Sequence, residues 1–396
     1  MREIEGSEGR ELEGKRIALC ICGSVAAVKS QELARKLIRH GAEVFPVMSD
    51  AATKIIRPEL MQWATGKPVV TKLTGKAEHL KLCGKEGVEL VILAPATADT
   101  IGKLANGIDD TPVTTVLTTA LGSGIPIIIA PAMHLSLYEN PAVKENIKKL
   151  KSFGVEFVEA KLSEGKAKMA DVDEITACAI RRMYKKTLSG KKVIVTAGAT
   201  REYIDDTRFI SNPSSGRMGV EIAREAYFRG ADVLLVHGHV DVEIPNYIKR
   251  IYAESTKEMH DAVMNNLKNS EIVVLAGAPS DFVPDRRRGK IRSLKPFKLA
   301  LRPTVKISDR VKKVNRKVKL ILFKAESGLT ERELREAALR KLKQADADMI
   351  VANDVGKRGV GFASEFNEVL LLKPDGFVKK IKGKKSEIAK LIFDSL

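Results

Sequence analysis

The sequence predicts an α/β protein with two doubly wound, Rossmann-like domains, each built on a parallel sheet. Its 396 residues are more than one ordinary hydrophobic core holds. Short apolar runs alternate with amphipathic segments, which is typical of strands and helices that follow one another along the chain. The same opening also occurs twice, because Gly-Lys pairs at residues 14–15 and 190–191 each precede an apolar run, a glycine turn and a helix. These observations indicate two similar units.

The first unit opens with the apolar run 17–21, which predicts a buried strand. A glycine turn and an amphipathic segment lead to HGAEVFPV, where His40 and Gly41 predict the end of a helix before the second strand. LVILAPAT and PIIIAPAM are further short apolar runs, and we expect them to be strands. Candidate ligand-binding residues follow these runs directly, at the carboxyl ends of the strands, where open parallel sheets bind ligands.

The second unit repeats this order, from the run 193–195 through a glycine turn and a helix to RGADVLLV. IVVLAG, KLILF and DMIVAND predict three more strands of the same sheet. The polar stretch 185–190 separates the two units. We therefore expect domains at residues 14–187 and 188–396.

The segment RFISNPSSGRMGVEIA, at residues 208–223, leads from a turn-rich stretch into an amphipathic helix. The first N–H groups of a helix lack backbone partners and lie at the positive end of its dipole, so they suit a phosphate or a carboxylate. A capped helix that binds nothing has the same residues. Both interpretations stay open on this stretch alone.

Three turns of the first unit offer similar polar groups. The first turn, GSVAAVKS, begins with Gly23 and Ser24 after the first strand. The second, APATADTIGKLANGIDD, contains Thr97 and follows the run LVIL. The third, PAMH, follows the run PIIIA and ends at His134. Small residues let a flat ring approach the backbone, and hydroxyl groups can bind its polar atoms. His79, in a polar segment before LVILAP, can act as a base near neutral pH. Ordinary strand-to-helix turns remain the alternative for each turn alone.

Composition excludes several classes of protein. The longest apolar runs, such as 125–133, are too short to cross a bilayer, and the charged start MREIEGSEGRELEG lacks the apolar core of a signal peptide. We interpret this start as a flexible lead-in and expect a cytoplasmic protein without membrane association. The chain has no CxxC pair, GxGxxG fingerprint, P-loop or HExxH motif, so we expect structural thiols, no dedicated metal site and neither nicotinamide nor P-loop chemistry.

The net charge of +18 is concentrated in the second half of the chain. Residues 286–319 hold 15 basic residues and one acidic residue, Asp309. Such a stretch suits a nucleic acid or a nucleoside triphosphate. Its one aromatic residue is Phe297, which is unfavourable for stacking on single-stranded bases.

The motifs of both units resemble those of known enzymes. Four motifs of the first unit together resemble those of flavin-dependent cysteine decarboxylases: GSVAAVKS, EHLKL, APATADTIGKLANGIDD and PAMH. Four motifs of the second unit resemble those of phosphopantothenate–cysteine ligases: VTAGATREYIDDTRFISNPSSGRMG, LAGAPSDFVPD, GKI and MIVANDV. Joined in this order, over residues 14–396, they resemble the bifunctional phosphopantothenoylcysteine decarboxylase/phosphopantothenate–cysteine ligase family of coenzyme A biosynthesis, in its archaeal form. The resemblance implies a flavodoxin-like flavoprotein domain, which is the decarboxylase, followed by a nucleotide-binding ligase domain.

For the second unit, the resemblance implies a two-step ligase reaction on 4′-phosphopantothenate, cysteine and CTP. An acyl-CMP forms with release of pyrophosphate, and the amino group of cysteine then displaces CMP. Asn212 would process this acyl intermediate, and Lys290 would stabilise charge on the α-phosphate. Mg²⁺ would enter with the triphosphate. The implied nucleotide-binding positions are Gly277, Ala278, Asp281, Lys290, Phe323 and Lys341.

For the first unit, the resemblance implies FMN, which oxidises the thiol end of the substrate to a thioaldehyde and so provides an electron sink for the loss of CO₂. His79 matches the family's active-site histidine, and His134 stands where the family usually has a substrate-holding asparagine. KLSEGKAKMAD matches a flap that carries a cysteine in many members but not here, and we expect Lys166 or Lys168 to meet anionic groups of the substrate. The implied flavin-binding positions are Gly23, Ser24, Ser49, Pro95 and Thr97.

The resemblance also implies a homo-oligomer, because both halves oligomerise in the family. Two alternatives remain: a basic nucleic-acid-binding or assembly protein on a flavin-like scaffold without catalysis, and a ligase whose first half is a flavin-binding relic. We expect the bifunctional enzyme, with no nucleic-acid or membrane partner, because the basic stretch contains the matched Lys290.

Overall fold

The computed structural model describes residues 3–292, 297–354, 356 and 364–396. The chain divides into two compact units, Met1–Tyr184 and Lys185–Leu396. Residues 293–296 of the basic stretch and Val355 of the MIVANDV motif lie outside the described residues. No helix in the described ranges is both long and apolar enough to cross a lipid bilayer.

Short strands and helices alternate along the first unit. Its strands are β1 (Arg16–Ile21), β2 (Glu43–Met48), β3 (Leu90–Ala96), β4 (Ile127–Pro131), β5 (Met133–His134), β6 (Glu156–Phe157), β7 (Lys161–Ser163) and β8 (Lys166–Lys168). Its helices are α1 (Ser30–Arg39), α2 (Asp50–Thr53), α3 (Pro58–Thr65), α4 (Glu78–Cys83), α5 (Ala98–Ala105), α6 (Pro112–Gly122), α7 (Leu135–Tyr138), α8 (Pro141–Ser152) and α9 (Val172–Met183), and a 3-10 helix spans Val25–Lys29.

The main sheet of the first unit is parallel, as predicted. Within residues 3–184 it has the strand order β2-β1-β3-β4-β6, and every neighbouring pair runs in the same direction. β3 is buried along its whole length, which explains its continuous apolar run. The strand order reverses between β1 and β3, so a ligand-binding crevice is expected at their carboxyl ends. This order is the flavodoxin-like one that the resemblance implied.

The start of the chain packs on α1. Leu12 is fully buried, and its amide donates to the His40 carbonyl at 2.9 Å. His40 Nδ1 lies 2.7 Å from Glu11 Oε2, and Lys36 Nζ lies 2.7 Å from Glu8 Oε2. The prediction of a flexible lead-in is therefore wrong for this segment, because its acidic residues find basic partners at the end of α1. The predicted helix end is confirmed, since His40 caps α1.

The second unit has a longer series of strands. They are β9 (Lys192–Ala197), β10 (Arg201–Tyr203), β11 (Phe209–Ser211), β12 (Asp232–His237), β13 (Lys249–Tyr252), β14 (Ile272–Leu275), β15 (Phe282–Pro284), β16 (Leu301–Pro303), β17 (Lys319–Glu326), β18 (Met349–Asp354), β19 (Phe366–Leu372) and β20 (Val378–Lys384). Its helices are α10 (Arg217–Phe228), α11 (Thr256–Asn266), α12 (Ser308–Val314), α13 (Glu331–Gln344) and α14 (Lys385–Asp394), and a 3-10 helix spans Leu267–Asn269.

The main sheet of the second unit is mixed. Its described strands have the order β13-β12-β9-β14-β17-β18-β19-β20. Neighbours from β13 to β18 are parallel, whereas β19 is antiparallel to both β18 and β20. The predicted parallel sheet is therefore confirmed from β13 to β18, and two antiparallel strands extend it at this edge. β20 reads VKKIKGK and exposes most of its side chains, so it lacks the apolar run that marks the inner strands.

Helices cover both faces of this sheet. Val193 and Val195 of β9 belong to one core with α10 and α14, whereas Ile194 between them belongs to another with α11, α12 and α13. Alternate residues of a strand point to opposite faces, so the two cores lie on opposite sides of the sheet. This arrangement confirms the doubly wound α/β class.

Candidate functional site

The carboxyl edge of the second unit's sheet opens into a cavity of about 690 Å³. Ligand pockets span roughly 300–1,000 Å³, so this volume suits a nucleotide or a small organic substrate. The cavity is bounded by the ends of β9, β14, β17 and β18 and by the start of α10. Six of the seven predicted acyl- and nucleotide-binding residues line it: Asn212, Gly277, Ala278, Asp281, Phe323 and Lys341.

Two glycines determine how closely α10 approaches this cavity. Gly216 precedes α10 with a φ of 72°, and a Cβ atom there would lie 2.3 Å from Val240 Cγ1. A Cβ atom on Gly219 would lie 2.6 Å from the Cβ atom of Ala197 on β9. Both contacts are too short for a side chain, so only glycine allows this approach. Ser214 Oγ accepts the amide of Gly216 at 3.3 Å, but no described side chain caps the first turn of α10, and the mouth of this helix opens on the cavity.

Asn212 is held by the turn that follows β14. Its Nδ2 donates to the backbone carbonyls of Ala278 at 3.1 Å and Pro279 at 3.2 Å. The Gly277 amide in this turn donates to Thr196 Oγ1 on β9 at 2.9 Å. These bonds join β9 to the segments after β11 and β14, so the Asn212 amide is fixed in the cavity wall.

Charged side chains on the α12 and α13 side of the cavity are paired. Asp281 forms an ion pair with Lys306. Lys341 Nζ lies 2.8 Å from Asp309 Oδ1, and Gln344 donates to Asp309 Oδ2 at 3.2 Å. Burial opposes the ionisation of Asp309, but hydrogen bonds from Lys341 and its neighbours outweigh it and lower the pKa of Asp309. Asp309 is therefore a carboxylate at neutral pH, and it holds Lys341 in the cavity wall.

Lys290 does not line this cavity. It is exposed, in a segment that two aspartates hold to the turn after β10. The Gly289 amide donates to Asp206 Oδ2 at 2.8 Å, and the Ile291 amide donates to Asp205 Oδ2 at 3.1 Å. Lys290 is therefore separate from the other predicted nucleotide-binding residues, although the family resemblance implied one common site for all of them.

Sequence reasoning missed several polar residues in the cavity wall: Arg217, Lys306, Lys324, Asn353, Asn367 and Lys385. Lys385 is only 3% exposed, and the two asparagines are also buried. A lysine at the start of an amphipathic helix ordinarily faces solvent. No local pattern could have marked Lys385, because its burial results from the packing of α14 against α10.

In the first unit, hydroxyl side chains follow three adjacent strands. Ser24 after β1, Ser49 after β2 and Thr97 after β3 each accept a backbone N–H, at 3.4, 3.2 and 3.4 Å. Ser24 Oγ also donates to the carbonyl of Ala132, after β4, at 3.4 Å. Because these strands are neighbours, the predicted flavin-binding residues share one edge of the sheet: Gly23, Ser24, Ser49, Pro95 and Thr97.

The turn at Gly23 has no room for a side chain. A Cβ atom there would lie 2.4 Å from the Cβ atom of Ala51, so the turns after β1 and β2 meet closely because residue 23 is glycine. A surface of small residues with three hydroxyl groups beside it fits the flat ring and polar groups of a flavin. The adjacent thiol of Cys22 is inert, because burial raises its pKa to about 11 although a hydrogen bond from Thr100 opposes this.

The predicted flap is a hairpin that pairs with the PAMH turn. β5, β8 and β7 form a small antiparallel sheet, in which His134 lies opposite Lys166. Side chains of directly opposed residues lie on the same face of a sheet, so these two side chains are neighbours. His134 is exposed, whereas Lys168 forms an ion pair with Glu164 at 2.8 Å. The structure thus brings His134 and one of the two predicted lysines together.

His79 lies on α4, which packs against α6. Its Nδ1 is buried and has no hydrogen-bond partner within the described part of the chain. Leaving such a group unpaired costs about 1–3 kcal/mol, so a bound molecule that supplies the missing bond is favoured there. Among the described residues, no hydrogen bond joins His79 to the strand-end residues of the flavin site.

Two family models match the chain: "Flavoprotein" over residues 5–184 and "DNA/pantothenate metabolism flavoprotein C-terminal domain" over residues 188–396. The coenzyme A biosynthesis bifunctional protein CoaBC of Thermococcus kodakarensis is 50% identical over an aligned length of 400 residues, and the alignment covers 99% of this chain and 97% of that protein. The protein of the same name from Methanocaldococcus jannaschii is 33% identical over 395 residues, 99% of this chain and 96% of that protein. A crystal structure of the C-terminal domain of a CoaBC protein, 33% identical, covers 53% of this chain and 96% of its own, with a TM-score of 0.44.

Proposed function

The chain belongs to the family of coenzyme A biosynthesis bifunctional proteins, and on that premise we propose that it carries out two successive reactions. The second unit condenses 4′-phosphopantothenate with cysteine at the expense of CTP, through an acyl-CMP. The first unit decarboxylates the resulting phosphopantothenoylcysteine to 4′-phosphopantetheine with FMN. The observation that carries the proposal is the cavity of the second unit, which gathers Asn212, Gly277, Ala278, Asp281, Phe323 and Lys341 at one sheet edge.

In the ligase reaction, the cavity binds CTP and the acyl substrate side by side. Phe323 is half-buried on β17, lines the cavity and offers an aromatic face to the base. Asn212 projects its amide from a fixed turn, where it orients the acyl intermediate for attack by the amino group of cysteine. Mg²⁺ bound to the triphosphate would reduce its charge. Lys290 assists by stabilising charge on the α-phosphate, which requires its exposed segment to approach the nucleotide.

In the decarboxylation, FMN supplies a two-electron acceptor for the thiol end of the substrate and returns the electrons after CO₂ has left. Ser24, Ser49 and Thr97 hold its polar groups at the strand ends, and Gly23 leaves room for the ring. His79 accepts the proton of the substrate thiol, because its Nδ1 has no partner among the residues that the structure describes.

His134 and Lys166 bind the anionic groups of the decarboxylase substrate. The two residues lie opposite each other in the small sheet, so an imidazole and an ammonium group are available side by side. We further propose a cytoplasmic homo-oligomer that binds neither nucleic acid nor membranes, as the family membership supports.

The test is a double assay of the purified chain. We expect a flavin absorption spectrum and, with 4′-phosphopantothenate, cysteine, CTP and Mg²⁺, release of both pyrophosphate and CO₂. Pyrophosphate without CO₂, even from supplied phosphopantothenoylcysteine, would indicate a ligase with a flavin-binding relic. A chain that releases neither product but binds RNA or DNA tightly at physiological salt would contradict the enzyme and support the nucleic-acid-binding alternative.

A further inference from the structure

A thiol and two hydroxyl groups form a hydrogen-bonded network between the end of β1 and the start of α5. Cys22 follows β1 directly, Thr97 precedes α5, and Thr100 lies in the first turn of that helix. Because β1 and β3 are parallel neighbours, their carboxyl ends meet, and the thiol comes to lie beside the two hydroxyl groups. Cys22 Sγ lies 3.0 Å from Thr100 Oγ1, which in turn lies 3.1 Å from Thr97 Oγ1. The network thus leads from the core to a predicted flavin-binding residue.

The thiol in this network is a hydrogen-bond donor. Cys22 and Thr100 are buried, whereas Thr97 is half-buried at the sheet edge. Burial raises the pKa of Cys22 to about 11, and hydrogen bonds from Thr100 and Thr97, which favour the thiolate, oppose this only in part. The sulfur therefore keeps its hydrogen at neutral pH and can donate it to an oxygen atom.

The available hydrogens and lone pairs determine the direction of the bonds. A hydroxyl group has one hydrogen and two lone pairs, and Thr97 Oγ1 already accepts the backbone N–H of Thr100 at 3.4 Å. When Cys22 donates to the Thr100 hydroxyl, that hydroxyl donates to Thr97 and fills its second lone pair. The hydrogen of Thr97 then remains for a ligand. The reverse order would make sulfur the acceptor, which is weaker than oxygen, and would turn the hydrogen of Thr97 inward.

We propose that Cys22 and Thr100 are positioning residues of the flavin site, which fix the Thr97 hydroxyl as a hydrogen-bond donor to FMN. The inference rests on the proposed function and adds to it two residues that act through Thr97. FMN offers two kinds of acceptor, the oxygens of its phosphate and the carbonyl oxygens and nitrogens of its ring. A hydroxyl whose lone pairs are both occupied can only donate, so it suits either kind.

The test compares flavin affinities of variants of the intact chain. Each protein is saturated with FMN and diluted, and the affinity follows from the flavin that dissociates. We expect Cys22→Ala and Thr100→Val each to bind FMN about 2- to 10-fold more weakly, which corresponds to about one hydrogen bond. Cys22→Ser and Thr100→Ser keep a donor and should retain most of the affinity. The control Cys20→Ala removes a buried thiol of the same core from within β1 and should bind FMN like wild type.

A double-variant cycle distinguishes positioning from a general structural role. If Cys22 acts through Thr97, Cys22→Ala should weaken FMN binding much less in a Thr97→Val background than in wild type. The same measurements with riboflavin, which lacks the phosphate, identify the acceptor. A bond to the ring predicts equal losses for both flavins, whereas a bond to the phosphate predicts a loss for FMN alone.

Three results would overturn the inference: equal FMN affinities of Cys22→Ala and Cys20→Ala, equal losses in Cys22→Ala and Cys22→Ser, or full additivity with Thr97→Val. If Cys22→Ala does not fold, Thr100→Val and Thr100→Ser provide the same comparison. The outcome is separable from that of the proposed function. A wild-type chain that binds no flavin would contradict the decarboxylase and this inference together, whereas flavin binding that the variants leave unchanged would overturn the inference alone.

Discussion

The contact between Gly23 and Ala51 predicts how one methyl group affects flavin binding. In Gly23→Ala, the new Cβ atom would lie 2.4 Å from the Cβ atom of Ala51, whereas carbon atoms in contact are about 3.5–4.0 Å apart. Gly23 is not in the left-handed conformation, so the cost arises from this contact and not from backbone strain. The two turns must separate by about 1 Å, and such overpacking costs about 1–3 kcal/mol. Because both turns carry predicted flavin-binding residues, we expect FMN to bind about 5- to 150-fold more weakly.

The assay is titration of the flavin-free protein with FMN, and the ligase reaction serves as an internal control. Pyrophosphate release should not change, since the substitution lies in the first unit. Ala51→Gly in the same chain should restore most of the affinity, because the remaining contacts to Ala51 are 3.2 and 3.3 Å. Wild-type FMN affinity in Gly23→Ala, or no recovery in the double variant, would refute the steric reasoning.

Three further predictions test the assigned roles, and a fourth tests a buried ion pair of the second unit. Lys290→Gln should reduce pyrophosphate release about 100-fold, while supplied phosphopantothenoylcysteine is still decarboxylated. The control Lys317→Gln should leave both reactions near normal. Equal ligase rates in the two variants would remove Lys290 from the mechanism. His79→Asn should stop CO₂ release while FMN stays bound, and normal decarboxylation would exclude His79 as the base. His134→Asn should retain appreciable decarboxylase activity and His134→Ala should lose most of it, whereas full activity in both would show that this side chain does not hold the substrate. Arg229→Ala should lower the free energy of unfolding, measured in urea, by about 3–5 kcal/mol. The substitution removes a buried guanidinium that lies 2.5 Å from the Glu225 carboxylate and 2.8 Å from the Asp394 carboxylate. A change below about 1 kcal/mol would contradict this role.

Departures from the predicted fold occur where pairing partners are distant along the chain. The inner strands were predictable because burial on both faces requires a continuous apolar run, as in β3. β20 has no such run, and its place follows from antiparallel pairing with β19. The first residues looked flexible because they are charged, yet Glu8 and Glu11 meet Lys36 and His40 at the end of α1. Neither arrangement can be derived from residue type, since each depends on which distant segment lies alongside.

In the candidate sites too, local features were predictable from the sequence, whereas contacts between distant segments were not. The α/β class, the turns at the strand ends and the family motifs were predictable from the sequence, because helical and strand periodicity and glycine turns are local properties. By contrast, no local pattern predicted that Arg217 and Lys385 line the same cavity as Asn212, or that Lys290 lies outside it. The physical reason is that strand order and helix packing bring together residues from distant parts of the chain, and these contacts determine which charges are buried beside a ligand.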